Sequence, residues 1–90
     1  MPKQYRTSKN FERILAKLLN RDNKLYENIL SKMNEILNSS DIEHYKNLRY
    51  NLKEYKRANV GSFVIVFKYD RQNNMVYFED FDHHDNIYRR

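Results

Sequence analysis

The stretch Lys53–Tyr69, KEYKRANVGSFVIVFKY, decides how the rest of the chain folds. It holds the only glycine, Gly61, and the longest β-branched and aromatic run, Phe63-Val64-Ile65-Val66-Phe67. Glycine reaches positive φ without a Cβ clash, so a Gly between two strand-like runs marks a turn. The spacing therefore predicts a β-hairpin. Its second strand is apolar on both faces, which is the pattern of a central strand. Cations stand at Lys53, Lys56, Arg57 and Lys68. Those from the first strand would line one sheet edge, a place suited to a phosphate backbone.

Downstream, Asp70-Arg71-Gln72-Asn73-Asn74 is rich in residues that tolerate turn conformations and predicts a second hairpin loop. Strands are expected at about 53–59, 62–69 and 75–81, followed by a polar tail from Asp82 to Arg90. Upstream, Asp41–Leu52 reads as a polar connector that becomes strand near its end. Before it, Tyr26, Ile29, Leu30, Met33, Ile36 and Leu37 recur at helical spacing, as do Phe11, Ile14, Leu15, Leu18 and Leu19. Ser8 can N-cap the first of these helices, and the polar run 20–23 can cap the second. So short a connection makes the two an antiparallel helical hairpin. The stripe residues Leu15, Leu18, Ile29, Leu30 and Met33 are expected in the core. Gln4–Thr7 predicts a short edge strand, with Pro2 ahead of it where a missing N–H does no harm. The fold class is α/β in the α+β sense: a strand, a two-helix hairpin, then a three-stranded antiparallel meander. The helices pack on one sheet face, and the other face is left open. No linker, repeat or low-complexity segment divides the chain, so residues 1–90 are expected to form a single domain.

Charge and composition narrow the function. With 17 Lys+Arg against 12 Asp+Glu the formal charge is +5, a balance that favours an anionic partner and says nothing of fold. The absence of cysteine excludes a disulfide scaffold, thiolate zinc sites and a Cys nucleophile. No apolar run approaches the length of a membrane span and no hydrophobic leader opens the chain, so a cytoplasmic location is expected, with no membrane partner. Eight tyrosines and no tryptophan suit a half-wet sheet face.

In order and spacing, three segments resemble the RelE/ParE toxin superfamily, most closely the RelE-type messenger-RNA endoribonucleases of type II toxin–antitoxin pairs. Lys46-Asn47-Leu48-Arg49 matches a Lys-x-Leu stretch of that family. Lys56 to Phe67 runs without a gap against its "YRIRVGDYRVIY" hairpin, and Asp82 to Tyr88 against its closing "GHRKDVY". The resemblance covers nearly the whole chain in element order. It implies a ribosome-dependent nuclease that needs no metal or other cofactor. It also implies messenger RNA and the ribosome as partners, with a RelB-like antitoxin that wraps the toxin and can dock along one edge of each helix stripe. Carried over position by position, it makes Arg57, His84, Tyr88 and His83 the candidate catalytic residues. Arg49, Lys53, Lys56 and Lys46 become candidate RNA-binding residues. Three family arginines are replaced, by Asn59, Val64 and His84.

The chemistry implied is attack of a ribose 2′-OH on the adjacent phosphate, which needs a base, donors for the phosphorane charge and an acid for the leaving 5′-oxygen. Arg57 offers a planar fork of donors to the phosphate, or else is a solvated strand cation beside Glu54. His83 and His84 are the acid–base candidates near neutral pH, while His44 in the connector reads as surface. Adjacent residues on a strand point to opposite faces, so at most one of the pair should face the site if the strand continues. By the same geometry the run Asp82-His83-His84-Asp85 is not expected to converge on a metal. Tyr88 either stacks or donates at the site, or packs its ring on the sheet, as expected for Tyr5, Tyr26, Tyr50, Tyr55, Tyr69 and Tyr77. A second function class stays open. The ParE branch shares the fold and poisons DNA gyrase without acid–base residues, and the replaced arginines fit that reading. A decayed toxin that only binds its antitoxin is a third.

Overall fold

The computed structural model describes residues 3–47 and 54–89, with backbone alone at 88 and 89. Strand β1 (Gln4–Thr7) leads into helices α1 (Lys9–Arg21) and α2 (Asn23–Leu37), then a single turn of 3-10 helix at Ile42–His44. Strands β2 (Lys56–Val60), β3 (Phe63–Asp70) and β4 (Met75–His83) follow, and helix α3 (His84–Arg89) ends the described chain. The sheet order is β1-β4-β3-β2. The meander β2-β3-β4 is antiparallel, whereas β1 joins the edge beside β4 in parallel. This is the mixed α+β arrangement that the patterning predicts, with β1 at an edge and β3 inside.

Local chemistry sets the boundaries. The Ser8 hydroxyl accepts from the Phe11 amide at 3.0 Å, the N-cap that starts α1, and donates to the Glu79 carbonyl at 2.6 Å. One side chain thus begins a helix and ties it to β4. Asp22 serves two helices: its amide closes α1 on the Leu18 carbonyl, and its carboxylate accepts from the Leu25 amide at 3.1 Å to open α2. A one-residue connection is the tightest form of the expected helical hairpin.

The β2–β3 turn has φ +60° at Gly61 and no positive φ at Ser62, the pattern of a II′ turn between the paired Val60 and Phe63. A Cβ at Gly61 would meet nothing within 4 Å, so only backbone strain opposes a side chain there. Gly61→Ala is therefore expected to destabilise by about 1–2 kcal/mol, read as a lower urea midpoint at unchanged m-value.

Side chains on β3 divide the core. Ile65 and Phe67 join Phe11, Ile29, Ile36, Val76, Phe78 and Phe81 beneath α1 and α2. On the opposite face Val64 and Val66 pack with Ile87 of α3, and Tyr55 packs against them. The second face is thus only partly open, because α3 folds back over one end of it. Simple alternation would send Phe78 and Phe81 to opposite faces. The register shows why both face the helices: Phe67 pairs with Phe78 and Val66 with Asp80, so Glu79 is an extra residue on β4, a bulge. The helix stripes bury as the spacing predicts except at their flanks. Leu30, expected in the core, is 40% exposed and Leu19 is 50% exposed, because α2 seats its Ile29-Met33-Ile36 row and Leu30 lies to one side. Among the described residues no helix is long and apolar enough to cross a membrane.

Candidate functional site

The open face can be built strand by strand from the register. Arg57 and Asn59 of β2 pair with Val66 and Val64, whose side chains face away from the helical hairpin. By alternation Arg57, Asn59, Val64, Val66 and Lys68 share that face, and Tyr77 joins it as the partner of Lys68. Arg6 of β1 pairs with Tyr77 and completes the row. The Lys68 ammonium lies 5.5 Å from the Tyr55 ring centroid and 5.9 Å from that of Tyr77. Both distances allow cation–π attraction, which holds the lysine between two half-buried rings. Cations and aromatic rings therefore interleave across one face from β1 to β2. Lys68 stood out in the sequence only as a charge. Tyr55 and Tyr77 read as packing residues, because a tyrosine that covers a core and one that presents a ring follow the same strand pattern.

Of the expected RNA-guiding cations, Lys46 is exposed, and its carbonyl accepts from the Arg57 amide at 2.9 Å, which sets it beside the β2 edge. Lys56 is placed differently. Its side chain points to the helix side of the sheet with Ala58 and Val60 and is only 8% exposed. Its ammonium reaches the Asn47 Oδ1 at 2.9 Å, the Tyr45 carbonyl at 3.2 Å and a Glu43 carboxylate oxygen at 3.5 Å. That is an anchor holding the connector against β2. The alternation of β2, with Ala58 and Val60 facing inward, puts Lys56 on the inner side. Arg49 and Lys53 lie outside the described residues, as does the side chain of Tyr88.

Glu43 also takes a 2.8 Å salt bridge from Arg71 of the β3–β4 loop. Hydrogen bonding from Arg71, with Lys56 nearby, holds the Glu43 carboxyl below its ordinary range. The Asp70 carboxyl is lowered as well, chiefly by the Asn73 side chain and then by the Asn73 and Gln72 amides. Both folded values lie below the unfolded ones, so the stabilisation is complete above the ordinary carboxylate range and disappears as pH falls through the lowered values. Acid titration of stability should therefore fall less steeply in Glu43→Gln than in the parent below about pH 4.

At the far end of β4 the expected divergence of the two histidines does not occur. The strand ends at His83, and the chain turns into α3 at His84, whose amide donates to the Ser62 carbonyl at 3.0 Å. That change of backbone brings the rings to 4.6 Å between centroids. His83 also meets the Phe63 ring edge-on at 5.6 Å. The Asp85 amide donates to His83 Nδ1 at 3.2 Å, and His84 Nδ1 lies 2.7 Å from a carboxylate oxygen of Asp85. Arg57 stands three residue pairs along β3 from the Phe63–His83 row, roughly 10 Å at strand rise. The structure thus unites the two histidines and sets Arg57 apart, on the sheet face over which Ile87 of α3 packs. At Val64, where the resembling family has an arginine, the side chain is buried under this contact.

No family model matches the chain. A Methanocaldococcus jannaschii protein described as "Putative toxin RelE4" is 49% identical over 82 residues, 90% of this chain and 85% of the relative. Among solved structures, the RelE–RelB complex of Pyrococcus horikoshii contains a chain matching with TM-score 0.67 and 11% identity, over 92% of this chain and 96% of that one. The toxin–antitoxin complex RelBE2 of Mycobacterium tuberculosis contains one matching with TM-score 0.62 and 23% identity, over 92% and 99% respectively. These two likenesses concern the fold, and the Methanocaldococcus jannaschii relative carries the family assignment. The chain belongs to the RelE-type toxin superfamily.

Proposed function

We propose that this toxin is a ribosome-dependent messenger-RNA endoribonuclease, acting in the cytoplasm and neutralised by a RelB-like antitoxin. One observation carries the reading: the open sheet face interleaves Arg6, Lys68 and Arg57 with Tyr55 and Tyr77 in a RelE-type fold. Single-stranded RNA is bound by this combination, with cations along the backbone and rings under the bases. Arg57, set roughly 10 Å along the sheet from the histidines, reaches with its long side chain toward the scissile phosphate and neutralises the phosphorane. His84, with His83 beside it, protonates the leaving 5′-oxygen. Tyr88 supplies a ring or a hydroxyl at the same end, and Lys46, Arg49 and Lys53 guide the strand. The attacking 2′-OH gives up its proton to His83 as general base, while the leaving 5′-oxygen takes one from His84, so the proton count balances. Support for the antitoxin comes from the two matching folds solved in RelE–RelB and RelBE2 complexes.

The basic face makes a quantitative prediction. Lys68→Ala should lower the salt slope of single-stranded RNA binding by about 0.7, the value for one phosphate contact. Tyr77→Ala should weaken binding by about 1–3 kcal/mol through lost stacking, without that change in slope. Fluorescence anisotropy at several salt concentrations separates the two.

Buried Val64 and exposed Asn59 favour a second reading, a binding-only inhibitor of DNA gyrase, since no cation stands at those positions. Adding the purified protein to a gyrase supercoiling reaction and, separately, to a translation extract decides between them. Messenger-RNA cleavage with normal supercoiling supports the nuclease. Blocked supercoiling with intact RNA supports the other.

A further inference from the structure

We propose that His83, His84 and Asp85 form a binding site for a divalent transition-metal ion of the zinc class at the β4–α3 junction. One potential ligand atom from each residue lies within 4.8 Å of the others. The convergence is built by the backbone. The His84 backbone is fixed by the hydrogen bond that its amide donates to the Ser62 carbonyl. The Asp82 carboxylate accepts from the His83 amide at 2.8 Å and from the Asn86 side chain at 3.1 Å, so the first turn of α3 is held to the strand end. Three consecutive side chains that would diverge on an extended chain therefore leave one corner together. Asp85 already bridges the pair, at 2.7 Å from His84 Nδ1 and 3.7 Å from His83 Nδ1.

The donor set selects the ion. Two imidazoles and one carboxylate suit zinc, nickel or copper, whereas magnesium prefers oxygen ligands and keeps its water. A tetrahedral zinc with bonds of about 2.0–2.1 Å needs ligand atoms roughly 3.3 Å apart. The three atoms now lie within 4.8 Å of one another, on side chains that are half-exposed or exposed, so the remaining approach is asked of side-chain rotation. The carboxylate that now pairs with His84 becomes the third ligand, and water fills the remaining position. Loading releases any proton carried by either imidazole. Binding does not depend on the nuclease reading. Its consequence does: an ion held by both histidines withdraws them from proton transfer, so zinc would inhibit the cleavage and would not serve it.

Isothermal titration of the untagged full-length protein with zinc tests the site, with magnesium as control. The expected result is one equivalent of zinc and no response to magnesium. His83→Gln and His84→Gln should each weaken binding at least about tenfold, the loss that even an outer-shell partner brings. His44→Gln, in the 3-10 turn, should bind as the parent does. Long-range proton–nitrogen spectra of the imidazoles give a second readout, in which zinc shifts His83 and His84 and leaves His44 unmoved. Absence of saturable binding, unchanged affinity in both His83→Gln and His84→Gln, or a shift confined to His44 would overturn the proposal. Because neither readout involves RNA, a protein that binds zinc and cuts nothing would leave this site standing and remove only the nuclease.

Discussion

Phe78→Ala should cost about 3–5 kcal/mol, a large share of the roughly 5–15 kcal/mol that holds a domain of this kind together. Phe78 is fully buried, stacks on Phe11 of α1 at 5.6 Å between centroids, and meets Tyr5 of β1 edge-on at 5.9 Å. It also lies 6.3 Å from Phe67 of β3. One ring thus joins the helical hairpin to β1, β3 and β4, and truncation leaves a cavity that none of these elements can fill alone. The bulge at Glu79 sharpens the effect, since it sets the register that keeps both Phe78 and Phe81 beneath the helices. Urea denaturation should show a much lower midpoint at a similar m-value. Tyr5→Ala is the matched control. Tyr5 is 52% exposed and meets Phe78 edge-on, so its loss should cost about 0.5–1.5 kcal/mol.

Arg57→Ala should lower the cleavage rate by about 10²–10³-fold while leaving stability within about 1 kcal/mol of the parent. The separation follows from its place on a half-exposed strand face outside the core, where substitutions cost little. A main-chain bond from the Arg57 amide to the Lys46 carbonyl also survives the substitution. What is removed is the guanidinium on the open face. Arg57→Lys should recover only part of the rate, because an ammonium restores charge but not the fork that grips two phosphate oxygens. Single-turnover cleavage in a translation reaction, measured beside urea melts of the same preparations, shows whether rate and stability part in this way.

Much of the fold could be read from residue spacing. The stripe from Phe11 to Leu18, the Ser8 cap, the Gly61 turn and the two-faced run in β3 each express a local rule that the structure obeys. What escaped depended on contacts between distant segments. The parallel pairing of β1 with β4 is set by where the chain returns after two helices. The Glu79 bulge appears in the sequence only as two phenylalanines three apart. Exposure of Leu30 follows from α2 seating its Ile29-Met33-Ile36 row, a choice among rows that spacing does not fix. The candidate site was legible in part. Arg57 is on the open face as a β2 residue of that parity must be, and by the same parity Lys56 turns inward to Asn47, Tyr45 and Glu43. The pairing of His83 with His84 could not be read, because it depends on a strand becoming a helix between two adjacent residues. Nor could the Tyr55–Lys68–Tyr77 row, which needs the β3–β4 register to exist.

Primer extension on a translated messenger RNA, with purified protein added to an in vitro translation reaction, decides whether this protein is a ribosome-dependent nuclease. The triple variant Arg57→Ala, His84→Ala, Tyr88→Phe runs beside the parent. Cuts within codons that depend on translation and vanish in the variant are the expected result. Intact messenger RNA with the parent protein, or the same cuts with the variant, would contradict it.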